Sequence, residues 1–221
     1  LADAARLQAI VTSRAALRIS GEYEFPVAPL ALPNLRQLPS LAELARNPSV
    51  ALFVERARAL KPAFELSEAN AQAVAEICAR LDGLPLAIEL AAVRTTVLTP
   101  QALLQRLARR LDILTGGARD LAARQQTLRG AIGWSYDLLA PGERALFASL
   151  AVFAGGAPLD AIEQICAGAS VWAAGAAPQP PTPVLDGLAS LVDKSLLRQI
   201  DTAAGETRFV MLQTIREFAQ E

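Results

Sequence analysis

Side chains that could act as catalytic nucleophiles, general bases or metal ligands are scarce in this sequence. Its 221 residues include no histidine and only two cysteines. Without imidazole, a Ser-His-Asp or Cys-His nucleophile system and a histidine-ligated zinc site are excluded. Cys78 and Cys166 lie in apolar helical patterns, which predicts buried, reduced thiols rather than a disulfide or a metal site.

A loop that could bind nucleotide phosphates is also missing. The lysines, Lys61 and Lys194, do not follow a glycine-rich loop, and no G-x-x-x-x-G-K-[ST] motif occurs. Phosphoryl transfer depends on such a loop and on a bound magnesium ion. We therefore expect the chain to be catalytically inactive by itself, with no catalytic and no metal-binding residue of its own.

Two short stretches have residue types that suit ligand binding. In "IVTSR", Arg14 follows an apolar run, and an arginine there is either an ordinary surface residue or a donor to phosphate oxygens. In "CARLDGLPLAIELAA", Gly83 and Pro85 interrupt a helix, where they cost about 1 and about 3 kcal/mol relative to alanine. This break predicts a corner, with Gly83 ending one helix and Pro85 opening the next.

The elements that would position these residues begin with a short strand. The apolar run Ala9–Val11 is typical of the end of a buried parallel strand. One strand is not stable alone, so we expect its sheet partners to precede residue 1 and the chain to be a fragment of a longer protein. The four prolines in residues 21–39 predict an extended linker.

Helix-start signals then predict a helical bundle over residues 40–117. Ser40 and Glu43 have the spacing of a capping box. Asn47 before a proline, Ser67, and Thr99 before a proline each indicate the start of a further helix.

A second unit is predicted over residues 118–221. Four helical stretches precede "SLLRQI" and "TRFVML", which flank the turn-forming "DTAAGE" and predict a β-hairpin before a final helix. Helices followed by such a hairpin predict a winged-helix domain in a mainly α-helical protein. We expect Trp134, Tyr136 and Met211 to lie in its core.

Charge and hydropathy indicate whether the protein binds nucleic acid or a membrane. The formal net charge is −1, and residues 121–221 hold seven basic and ten acidic residues, whereas a DNA-binding surface is basic. The longest uncharged stretch, residues 164–185, contains four prolines and cannot be a continuous membrane helix. We expect a cytoplasmic protein with no direct nucleic-acid partner and no membrane partner.

Six stretches, taken in order, carry a family resemblance: "IVTSRAALRISGE", "LFVERARAL", "CARLDGLPLAIELAA", "RQQTLRGAIGWSYDLLAPGERALFASLAVFAGG", "LASLVDKSLL" and "RFVMLQTIREFA". Together they resemble the second half of the core of bacterial STAND ATPases. These are NB-ARC-like signal-transduction ATPases found in LuxR- and AfsR-type transcriptional regulators.

The resemblance implies three domains and a shared nucleotide. Residues 1–39 would end a P-loop NTPase domain, 40–117 would form a helical lid with the GLPL motif, and 118–221 a winged helix. ATP or ADP with magnesium would bind between these and the missing N-terminal P-loop domain, so none is expected bound to this chain alone. The resemblance also implies possible self-oligomerisation on activation.

The same resemblance implies which residues contact nucleotide. Arg14 would sense the terminal phosphate, while Leu84 and Pro85 would lie against adenine, where a rigid apolar ring offers a flat surface for a base. Gln213 would contribute through its amide. Met211-Leu212-Gln213 stands where plant and animal relatives carry Met-His-Asp, so the histidine contact of those relatives is in doubt here.

Three functions therefore remain open from the sequence. The chain is part of a nucleotide-controlled switch that regulates transcription, a DNA-binding winged-helix module, or a non-catalytic helical adaptor for protein–protein interaction. In the adaptor, Arg14 and Pro85 would not face a common cavity.

Overall fold

The computed structural model describes residues 9–13, 16–107, 111–117, 120–169, 183–202 and 205–221. These residues form ten α-helices and three short strands. The helices are α1 (Leu41–Arg46), α2 (Pro48–Leu60), α3 (Glu68–Arg80), α4 (Pro85–Val93), α5 (Pro100–Leu107), α6 (Leu128–Asp137), α7 (Pro141–Leu150), α8 (Leu159–Ala169), α9 (Val184–Asp193) and α10 (Gln213–Ala219). The strands are β1 (Ala157–Pro158), β2 (Arg198–Asp201) and β3 (Thr207–Val210).

Helices α1–α5 form a helical bundle, called the helical domain below, and they begin at the residues that the sequence predicts. The Ser40 hydroxyl accepts a hydrogen bond from the Glu43 amide while the Glu43 carboxylate accepts one from the Ser40 amide, which confirms the capping box. The Asn47 side chain caps α2, whose first residue is Pro48. The domain core is apolar and includes Leu44, Phe53, Val74, Ile77, Ile88 and Leu103.

The segment from α7 to β3 has the arrangement of a winged-helix domain. The three strands pair in the order β1-β3-β2, and both pairings are antiparallel. The hairpin of β2 and β3 is the predicted one, with Gln199 opposite Phe209. Helices α8 and α9 lie between β1 and β2 in the chain, so a helix pair is followed by a two-stranded wing.

Two aromatic residues of α6 that the sequence assigns to the core have different surroundings. Tyr136 is half-buried and its ring contacts those of Phe147 and Phe218, with centroids 5.7 Å away in both cases. Trp134 is 39% exposed, and the Arg124 guanidinium stacks 4.7 Å above its ring. The prediction of a core position is therefore wrong for Trp134, because its helical face points outward to an arginine.

The strand predicted over Ala9–Val11 is not formed. Residues 9–13 have no regular secondary structure, and Ile10 is fully exposed. Backbone hydrogen bonds from a neighbouring strand are what stabilise a strand, and no described strand lies beside this segment. Within the described residues, no helix is long and apolar enough to cross a membrane.

Candidate functional site

The corner between α3 and α4 is formed by two consecutive residues with left-handed backbone conformations. Asp82 has a φ of 55° and Gly83 a φ of +67°. A Cβ atom on Gly83 would lie 2.3 Å from the carbonyl oxygen of Leu30, whose amide donates to the Gly83 carbonyl at 2.9 Å. Glycine is required here both by its φ and by the linker that crosses it.

This geometry confirms the predicted corner and the place of its proline. The Asp82 amide donates to the Ala79 carbonyl at 3.0 Å and the Gly83 amide to the Cys78 carbonyl at 3.2 Å, which are the hydrogen bonds of a Schellman motif. The left-handed residue that directly follows the C-cap, Leu81, is therefore Asp82 and not the predicted Gly83. Pro85 is the first residue of α4 and is exposed, while Leu84 is half-buried against the core.

The side chain of Asp82 connects the two domains. Its Oδ2 atom accepts hydrogen bonds from the amide and the hydroxyl of Thr214, both at 3.0 Å. Thr214 is buried in the first turn of α10, and no side chain of the N-cap residue, Leu212, caps that helix. A carboxylate from the helical domain therefore caps a helix of the winged-helix domain.

Opposing effects act on the pKa of Asp82. Burial raises this pKa, because it disfavours the charged carboxylate. Hydrogen bonds from Thr214 and from the Gln213 amide, and the positive charge of Arg198, act in the opposite direction without cancelling the effect of burial. The pKa remains above its ordinary value, so the charged carboxylate is held at this corner against a desolvation cost.

A cavity of about 610 Å³ lies where α3, α5 and α10 approach one another. Three carboxylates, those of Glu76, Asp82 and Glu217, line it together with the guanidinium of Arg80. Gln213 also lines it and donates a side-chain hydrogen bond to Glu217 at 3.1 Å. Because acidic groups outnumber basic ones, these walls do not provide a binding surface for phosphate.

The structure brings only some of the predicted nucleotide-binding residues together. Gln213 faces Asp82 across the domain boundary, and Leu84 and Pro85 follow Asp82 closely in the chain. Arg14 lies outside the described residues. Sequence reasoning missed Asp82 and Thr214, although a charged residue directly before a corner glycine is a signal that could have pointed to Asp82.

A second polar cluster joins α7 to α9. Glu143 is buried, and its carboxylate accepts hydrogen bonds from Lys194 Nζ at 2.6 and 2.8 Å, from the Ser190 hydroxyl, and from the Ala140 amide at 2.7 Å. Burial acts to raise the pKa of Glu143, but these donors outweigh it and leave the pKa below its ordinary value. The cluster fixes α9 to α7 within the winged-helix domain.

Helix α9 is the second of the two helices that lie between β1 and β2 in the chain. Leu185, Asp186 and Ala189 are exposed on it, and Asp193 at its end pairs with Arg18 at 2.7 Å. Arg198, the first residue of β2, is exposed. The surface of α9 itself is apolar and acidic, while exposed positive charge lies on the neighbouring strand.

Comparison with known proteins places the winged helix in a recognised class. Residues 139–221 match the family model described as a winged helix-turn-helix domain. The chain is 38% identical over 215 residues to proteins of Mycobacterium bovis and Mycobacterium tuberculosis, each named "Putative HTH-type transcriptional regulator". It is 36% identical over 216 residues to a Mycobacterium bovis protein named "Uncharacterized protein".

These relatives are longer than the chain. The matches cover 97% and 98% of the chain, but only 22% of the transcriptional regulators and 50% of the other relative. The similarity thus extends over the helical domain as well as the winged helix.

The prediction that nucleic acid is not a direct partner is wrong. It is overturned by the match to a winged helix-turn-helix domain and by the similarity to proteins named as transcriptional regulators. The count of charged residues misled because it gives the net charge of residues 121–221 and not the positions of the charges on the surface. The Glu143–Lys194 and Glu206–Arg208 pairs each remove one acidic and one basic charge and leave the net charge unchanged, whereas Arg198 is exposed at the start of β2. The chain carries a winged helix-turn-helix domain over residues 139–221 and is similar over nearly its whole length to proteins named as transcriptional regulators.

Proposed function

We propose that this chain is a regulatory part of a transcriptional regulator and that its winged-helix domain contacts DNA. One observation carries the proposal: β1, α8, α9, β2 and β3 follow one another in a segment that matches a winged helix-turn-helix domain. In helix-turn-helix proteins the second helix enters the major groove, which assigns that position to α9.

The proposed contact has an uneven charge distribution. Asp186 on α9 repels phosphates, whereas Arg198 at the start of β2 is exposed and positively charged. Phosphate contacts provide most of the affinity of non-specific DNA binding. We therefore assign phosphate contact to the strand side of the domain, with Arg198 as its main residue among those described.

Duplex-DNA binding tests this proposal. Fluorescence anisotropy with a selected pool of genomic duplexes should show binding that weakens as salt rises. Arg198→Ala should lower the affinity evenly across sequences and reduce the slope of log K against log salt by about 1. Arg46→Ala, which removes an exposed arginine of α1 in the helical domain, is the matched control and should change neither. Wild-type protein that binds no duplex at low salt would contradict the proposal.

A second candidate function is the nucleotide-controlled switch implied by the STAND resemblance. The observation that favours it is the approach of α10, with Gln213, to the corner that bears Leu84 and Pro85. The acidic walls of the cavity do not suit phosphate, so in this proposal a preceding P-loop domain holds the phosphates and magnesium. The residues of this chain contact only the base side of ATP or ADP.

This candidate predicts different results for the chain alone and for a longer protein. The chain alone should hydrolyse no ATP. In a protein that joins it to a P-loop domain, Pro85→Ala should weaken ADP binding, while Pro100→Ala, at the start of α5, should leave it unchanged. Equal ADP affinity of all three proteins in calorimetry would exclude the base contact.

A further inference from the structure

Helix α9 presents apolar side chains to solvent. Leu185, Asp186 and Ala189 share one exposed face of the helix, and Leu185 is 55% exposed. Leu188 and Leu191 point into the domain core instead, where both are fully buried. Packing of the core therefore does not account for the two apolar residues on the exposed face. That face offers two apolar side chains and one carboxylate.

The side chains of α9 leave no hydrogen-bond donor on this face. Within Val184–Asp193 only the side chain of Ser190 carries a donor, and its hydroxyl donates to the Glu143 carboxylate. Lys194, which follows the helix, donates to the same carboxylate at 2.6 and 2.8 Å. Both donors are thus directed into the domain. A ligand of the exposed face meets only apolar groups and an acceptor.

These groups match one kind of base edge in the major groove of DNA. Guanine presents the acceptors N7 and O6 there, so its recognition requires a donor such as arginine. Thymine presents a C5-methyl group, which apolar side chains contact. The Asp186 carboxylate disfavours guanine further, because a carboxylate and the N7 and O6 atoms are all acceptors. The exposed face of α9 therefore suits thymine and does not suit guanine.

We propose that Leu185 and Ala189 contact thymine methyl groups in the major groove and that α9 thereby selects thymine-containing sites. Such recognition rests on the DNA contact proposed for the winged-helix domain and adds the base class that α9 reads. Arg198 contributes phosphate contact, which carries no sequence information, whereas the two apolar side chains contribute the sequence preference. Asp186, beside Leu185, disfavours guanine at the neighbouring base pair.

Two duplexes that differ only in thymine methyl groups test this recognition. A duplex that the wild-type chain binds is selected from random sequences, and it is then synthesised with thymidine or with deoxyuridine, which lacks the C5-methyl group. Fluorescence anisotropy should show tighter binding of the thymidine duplex, by about fourfold for each contacted methyl group, as expected for burial of one apolar carbon. The selected sequences should be enriched in thymine.

Variants of exposed leucines assign the preference to α9. Leu185→Ala should lower the thymine preference by about fourfold, the share of the methyl group that Leu185 contacts. Leu138→Ala is the matched control, because Leu138 is 58% exposed but lies outside residues 139–221, and it should keep the wild-type preference. Neither variant should change the slope of log K against log salt, since neither removes a positive charge.

The possible failures have different meanings. Equal binding of the thymidine and deoxyuridine duplexes would overturn the methyl contact and leave the DNA contact of the domain intact. A preference that Leu185→Ala keeps in full would also overturn it, because DNA shape would then be the source. Wild-type protein that binds no duplex would overturn the DNA contact itself. If Leu185→Ala does not fold, as judged by circular dichroism, the preference of Ala189→Gly, expected to be lowered, decides the question.

Discussion

Lys194 and Glu143 form an ion pair that joins the end of α9 to the first turn of α7, with Nζ 2.6 Å from Oε2. Both side chains are largely withdrawn from solvent, and the same carboxylate accepts hydrogen bonds from Ser190 and the Ala140 amide. Both residues lie within the range that matches the winged helix-turn-helix domain. The pair therefore determines where α9 is held.

We expect Lys194→Met to reduce the free energy of unfolding by about 1 to 3 kcal/mol, because it leaves a buried carboxylate without its counter-ion. Urea denaturation measures this loss. Arg18→Met is the matched control, since it breaks an exposed pair with Asp193 near the end of the same helix. That change should stay below about 1 kcal/mol. Equal losses in the two variants would mean that the burial of Glu143 contributes nothing.

The lowered pKa of Glu143 predicts a pH dependence with a definite sign. When the folded-state pKa lies below the unfolded value, ordinarily 4.5, the stabilisation is complete above that value and is lost as pH falls through the folded-state pKa. The difference in unfolding free energy between wild type and Glu143→Gln should therefore shrink on acidification from about pH 6 to about pH 3. Denaturant titrations at several pH values test it. A constant difference would show that Glu143 keeps its ordinary pKa.

Gly83 and Gly205 form a matched pair for testing the corner. Both have positive φ angles, but a Cβ would collide with the Leu30 carbonyl at Gly83 and would meet open space at Gly205. Gly205→Ala should cost about 1 kcal/mol from backbone strain alone. Gly83→Ala should cost about 2 to 4 kcal/mol, because the linker must also move. Thermal or urea unfolding measures both losses of unfolding free energy. Equal losses would mean that the Leu30 carbonyl does not restrict the side chain at position 83.

The two cysteines should differ in reactivity. Cys78 is fully buried, and burial raises the pKa of its thiol to about 12, while Cys166 is half-buried. Since the thiolate is the reactive form, a disulfide reagent at about pH 8 should modify Cys166 first and Cys78 only after unfolding. Cys166→Ser should abolish the native-state reaction. Rapid modification of that variant would contradict the burial of Cys78.

Much of the helical domain could be predicted because its signals are local. Ser40, Asn47 and Pro85 open helices where the sequence places them, since caps and prolines act within a few residues. The hairpin of β2 and β3 was predictable for the same reason. Both thiols are free and Cys78 is buried, as predicted, but Cys166 is only half-buried, so the prediction of a buried position is wrong for it.

The contacts that organise the site could not be predicted, because they join distant positions. Asp82 and Thr214 are 132 residues apart, and Glu143 and Lys194 are 51 apart. No local pattern identifies such partners before the fold is known. Trp134 was misassigned for a related reason: its helical spacing fits the core, but Arg124 covers its ring at the surface. The apolar run Ala9–Val11 predicted a strand, but strand formation depends on a neighbour as well as on sequence.

The junction of β3 and α10 has a mechanical consequence. β3 is the central strand of its sheet, and only Met211 and Leu212 separate its last residue from the first residue of α10. Met211 is buried, so this junction is short and anchored in the core. A connection this short couples the movement of the wing to that of α10. A force applied to the wing is therefore delivered, within a few residues, to the hydroxyl and amide that Asp82 holds.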